Sequence, residues 1–132
     1  MNLSGYGAAV IAAFVACLFT DWLFMGVLFH GKTRSNPEIW RPIGAAHRIS
    51  IAVSIALNLV TCSVYLFSAG FLGLTSLQPA LYLAVTMWLA IAVPLQVNNG
   101  LFIKFHPLLV VAHSLGWLAK LLVCSLAAFY FL

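Results

Sequence analysis

An all-α integral membrane protein, a single-domain bundle of four transmembrane helices over residues 1–132, is what three observations on this chain predict. It is 64% hydrophobic and 6% charged, outside the range of water-soluble folds. Its mean hydropathy is +1.11, which suits a protein whose solvent is mostly lipid. Four apolar stretches can be drawn, about 4–29, 43–67, 79–97 and 107–131. Each reaches or nearly reaches the ~20 residues that cross ~30 Å of hydrocarbon. The net charge of +4 does not point to nucleic acid, because four of the six bases fall between Lys32 and Arg48. That clustering is the pattern of a cytoplasmic membrane loop.

The first stretch runs from Ser4 to Phe29 and carries one charge, Asp21. A carboxylate inside a transmembrane helix is costly unless it has a partner or a function. No cleaved signal peptide is expected, since residues 1–5 hold no Lys or Arg and the apolar run is too long for an h-region. In the loop that follows, Ser35-Asn36-Pro37-Glu38 is a helix-start signature. It predicts a short interfacial turn through Trp40, with Glu38 paired to Arg34 or Arg41. His30 and His106 fall at the ends of spans, where solvation is expected. Pro42, Pro79 and Pro107 open spans two, three and four, a position that suits a residue with no amide hydrogen and a preset φ. In span three, Pro94 precedes Gln96, Asn98 and Asn99 and predicts a break that frees a backbone carbonyl near the depth of Asp21.

Charge orients the spans. Lys32, Arg34, Arg41 and Arg48 mark the first loop and Lys104 the third, whereas Ser68–Gln78 has no charge. By the positive-inside rule loops one and three are cytoplasmic and both termini lie on the other side. Tyr6, Tyr65, Tyr82 and Tyr130 all fall at the non-cytoplasmic ends of their spans, as an aromatic belt would place them.

A weak internal repeat relates the two halves: Gly26-Val27-Leu28-Phe29 with Gly100-Leu101-Phe102-Ile103, Ala46-His47 with Ala112-His113, and Cys62-Ser63 with Cys124-Ser125. It would make the chain two parallel helix hairpins and bring His47 and His113 toward one axis at similar depth. Cys17, Cys62 and Cys124 each lie in an apolar run without a C-x-x-C pattern. They read as small buried hydrophobes, neither disulfides nor metal ligands.

Helical periodicity then sorts the polar residues. His113, Gly116, Trp117 and Lys120 share one face of span four, and His47, Ser50, Ser54, Asn58 and Thr61 share one face of span two. Such polar stripes are expected to face inward. At 1.5 Å per residue, Asp21 counts to roughly 12 Å from the cytoplasmic end, Arg48 to roughly 9 Å, His113 to roughly 10 Å and Lys120 to roughly 20 Å. Asp21, His47, Arg48, Asn58, His113 and Lys120 should therefore line one interior, with Trp88 and Trp117 packed beside it.

Two readings follow. In the first, Asp21 pairs with Arg48 or Lys120 and merely ties helices together. In the second, the polar interior is a pocket for a lipophilic molecule, with Lys120 and Arg48 on its head and Trp88 and Trp117 along its body. A haem b held by His47 and His113 is the redox alternative, with a quinone-linked role beside it; otherwise no cofactor or metal is expected. No H-E-x-x-H, phosphate-binding glycine loop or serine triad is present, so catalysis is not indicated.

Asp21-Trp22-Leu23-Phe24-Met25-Gly26-Val27-Leu28-Phe29, followed by Pro37-Glu38-Ile39-Trp40-Arg41, resembles the small bacterial membrane proteins grouped as domain of unknown function 1761. Asn99-Gly100-Leu101-Phe102-Ile103-Lys104 and the segment from His113 to Lys120 fit the same likeness. The resemblance implies a four-helix protein of the bacterial inner membrane and carries no activity, cofactor or catalytic residue. The expected function is non-enzymatic: binding or passing a lipophilic molecule, or serving as an accessory subunit. Expected partners are the lipid bilayer and either a second copy of the chain or a larger membrane complex.

Overall fold

The computed structural model describes residues 2–29, 44–74, 76–103 and 106–132, apart from the side chain of Ala46. The expected turn through Pro37 and Trp40, the pairing of Glu38, and the placement of His30, Lys32, Arg34, Arg41, Pro42 and Lys104 lie outside the described residues. What is described is helical, with four rods each long and apolar enough to cross a membrane.

The first rod is α1 (Leu3–Asp21), continued by a π-helical segment, Trp22–Leu28. Asn2 caps it by accepting from the Ser4 amide at 3.2 Å, satisfying one of the unpaired donors of the first turn. The second is α2 (Ala45–Phe71). The third consists of α3 (Leu77–Met87), a π segment Trp88–Ala92, and α4 (Val93–Phe102). The fourth is α5 (Pro107–Phe131), with Pro107 in its first turn as the sequence predicts. Spans two and three run several residues beyond the stretches drawn from hydropathy.

Pro94 does not break the third rod. Lacking an amide hydrogen, it cannot donate to the carbonyl four residues back. The chain accommodates this by widening: the Val93 amide bonds to the Trp88 carbonyl, five residues away, and the helix then continues.

α5 is the hub. α1, α2 and the third rod all pack on it, and α1 also packs on α2. The seam is built from small side chains at helical spacing: Ala9, Ala13 and Cys17 on α1, Ala80 and Ala84 on α3, and Ala112, Gly116, Cys124 and Ala128 on α5, all buried. Small residues let helix backbones approach closely, which matters most where the surroundings are as apolar as the side chains. The approach is tightest at one end, where a Cβ on Gly5 would stand 2.5 Å from the Phe131 carbonyl oxygen. The outward surface is largely aliphatic and aromatic, including Ile11, Val15, Phe19, Val53, Leu57 and Ile91.

Tyr65 departs from the expected aromatic belt. It is 2% exposed and donates to the Ala80 carbonyl at 2.7 Å. Ser125 Oγ lies 2.7 Å from the phenol oxygen and 3.0 Å from the same carbonyl. This knot joins α2, α3 and α5. Tyr6 also bonds between helices, donating to the Ser63 carbonyl at 2.9 Å; Tyr82 and Tyr130 are exposed. Tyr65→Phe is expected to cost about 1 kcal/mol, the size of an interhelical hydrogen bond between apolar helices. Unfolding in SDS–detergent mixtures measures it, and an unchanged midpoint would remove the knot from the account of stability.

Candidate functional site

Asp21 is the last residue of α1, at the point where the helix widens. Its carboxylate is held from two other helices. Lys120 Nζ is 2.7 Å from Oδ1, and Asn58 Nδ2 donates to Oδ2 at 2.9 Å. Of the two partners the sequence leaves open, the ion pair is with Lys120. The ammonium also lies 5.1 Å from the centre of the Trp117 ring, a cation–π contact. Asn58 is 4% exposed, and its Oδ1 is a buried acceptor with no hydrogen bond among the described residues.

Beside this pair is a cavity of about 30 Å³, lined by Asp21, Phe24 and Met25 of the first rod and by His113, Gly116, Trp117 and Lys120 of α5. The predicted face of span four, His113-Gly116-Trp117-Lys120, is thus the face that meets Asp21. The π segment presents Phe24 and Met25 to the same surface, and π-helical widening of this kind recurs at functional sites.

Arg48 is not part of the centre. It is exposed on α2, as are Ser50 and Ser54, so the predicted inward stripe of span two begins only at Asn58. Since Asn58 is at the level of Asp21, Arg48 stands about 15 Å farther along the helix axis. Depth counted from the basic loop placed it too close, because α2 extends to Phe71 and its register is set by Asn58. His47, half-buried, belongs to the same remote turn. Measured from Cys62 and Cys124, which share a level, His47 and His113 are offset by about 6 Å. The two histidines are therefore not at matched depth, as the haem alternative expected. Trp88 does not line the cavity at Asp21; its indole N–H donates to the Ser114 carbonyl at 2.8 Å and packs the third rod on α5. Gln96, Asn98 and Asn99 do not line the cavity at Asp21.

A second feature was not read from the sequence. Between α2 and the third rod lies an apolar groove of about 380 Å³, lined by Val60, Val64, Tyr65, Met87, Ile91 and Trp117 among others. The two rods meet through the Tyr65–Ala80 bond, and the groove runs alongside it. Trp117 contributes to both this groove and the polar cavity.

A third feature is a layer of thiols. Cys17, Cys62 and Cys124 are all buried, and their sulphurs lie within 4.8 Å of one another. Each is one helical turn from a member of the polar centre: Cys17 from Asp21, Cys62 from Asn58 and Cys124 from Lys120. The thiol layer thus stacks on the polar layer, with about 6 Å of helix between them. Periodicity shows which face a cysteine is on but not how three helices are rotated against each other. The repeated four-residue spacing was the available signal.

The class so defined is a bundle of four apolar, membrane-length helices with a part-buried ion pair and three buried thiols. Comparison with protein-family models, curated proteins and solved structures finds no match.

Proposed function

We propose that the protein is a multi-pass bacterial inner-membrane protein that binds a lipophilic small molecule without transforming it. The observation that carries this reading is the groove between α2 and the third rod. Its volume of about 380 Å³ falls in the range of small-molecule sites, ~300–1,000 Å³, and like them it is mostly apolar with an aromatic wall. Lys120 is committed to Asp21, so the groove selects an apolar body, such as an acyl or isoprenoid chain, over an anionic head. Loops one and three would face the cytoplasm and both termini the other side, on the strength of the basic cluster between Lys32 and Arg48. The apolar face of α2 from Ile49 to Leu57 is exposed, which also suits a protein that self-associates or serves as a subunit.

A photoactivatable fatty acid tests the groove. In reconstituted bilayers it should label Val60, Val64 and Ile91 saturably, and excess unlabelled lipid should compete. Val64→Trp, which fills the groove from its edge, should abolish the saturable component. Uniform, non-saturable labelling that extends over Ile11 and Val15 would end the proposal. A Soret band in the purified protein would favour the haem reading in its place.

A further inference from the structure

The three cysteines are the only ones in the chain, they come from three different helices, and all three meet. Had they served only as small fillers of the seam, any of the buried alanines could have taken their places, and the cysteines would be scattered along it. Each sulphur is 0% exposed, and none is in a disulfide. Cys17 Sγ is 3.8 Å from the Lys120 carbonyl oxygen, a contact between α1 and the helix that carries both Cys124 and the base.

We propose that Cys17, Cys62 and Cys124 form a three-thiol site that captures a trivalent thiophilic metalloid, arsenic(III) or antimony(III), in its neutral hydroxide form.

Charge selects this class of ligand. Three thiolates prefer soft ions, but the site is buried among apolar helices, and the adjacent Asp21–Lys120 pair already cancels itself. An uncompensated charge there is costly. A monovalent copper ion on three thiolates leaves two negative charges. A zinc ion leaves one, and it also asks for a fourth ligand. Trivalent arsenic leaves none. The neutral trihydroxide reacts with three neutral thiols: three arsenic–oxygen bonds break, three arsenic–sulphur bonds form, and each thiol proton departs with a hydroxide as water. The oxidation state is unchanged, and no charge enters the bundle. Three sulphurs from three helices also match a pyramidal centre that takes three ligands, and the triad supplies that number. The site is separate from the apolar groove, so neither inference depends on the other.

Native mass spectrometry of the reduced protein with sodium arsenite is the test. The expected product is one adduct per chain with the mass of one arsenic atom less three hydrogens, together with a sulphur-to-arsenic charge-transfer absorption in the ultraviolet. An adduct that retains a hydroxide would mean only two thiols bind and would overturn the three-thiol site, as would no adduct on a folded protein. Single Cys17→Ala, Cys62→Ala and Cys124→Ala variants should each weaken binding by roughly 100-fold or more, above the loss caused by removing an outer partner of a site. The wild-type mass decides the question even if a variant fails to fold. Copper(I) displacing arsenic at equal concentration would overturn the charge argument and the proposal with it.

Discussion

Lys120→Met or Asp21→Asn is expected to destabilise the bundle by about 2–3 kcal/mol, somewhat below the cost of breaking a fully buried pair because about a third of the Asp21 side chain is exposed. The loss arises less from the attraction removed than from the charge left behind. Among the described residues, Asp21 without Lys120 keeps the Asn58 amide; with Asp21 neutralised, the ammonium, 13% exposed, keeps the face of Trp117. Removing both charges should therefore recover much of the loss, since paired deletion strands neither group. SDS-unfolding midpoints of the four proteins in the cycle give the coupling. Additive single effects, or an equal coupling of Asp21 to Arg48, would contradict the assignment of Lys120 as the partner.

Ala13→Leu is expected to cost about 3 kcal/mol, at the upper end of the usual range for overpacking. Ala13 is 1% exposed and central in the Ala9–Ala13–Cys17 row by which α1 meets its neighbours. A branched four-carbon side chain there has no void to enter, so α1 must move outward. The three thiols depend on the same seam and should become reactive toward a membrane-permeant maleimide, whereas in the native protein they stay protected. Retained stability with unreactive cysteines would mean that the seam tolerates bulk and that small side chains do not set the helix spacing.

The features legible in the sequence are those that one helix carries by itself. The face formed by His113, Gly116, Trp117 and Lys120 follows from spacing alone, and the structure turns all four toward Asp21. Asn58 was legible for the same reason. What failed depended on the relation between helices. The basic loop suggests a depth for Arg48 near that of Asp21, but α2 is positioned by the Asn58–Asp21 bond, which leaves Arg48 far from the centre. A tyrosine at a span end looks the same in sequence whether it faces an interface or a neighbouring helix, and Tyr65 chose the Ala80 carbonyl. The cysteines were correctly read as buried, but their convergence depends on the mutual rotation of α1, α2 and α5. The groove needs two rods to stand apart, and no residue pattern announces a gap.

The hub position of α5 also has a consequence in time. α5 is made after the other three rods, and Lys120 follows Asp21 by 99 residues, roughly 5–20 s of synthesis at ordinary elongation rates. The chain therefore emits its acid long before its base. Asn58 arrives earlier, on the second rod, and offers the carboxylate a neutral donor before the third rod and α5 are made. The order of translation places a temporary escort ahead of the permanent counter-charge, and the mature centre keeps both.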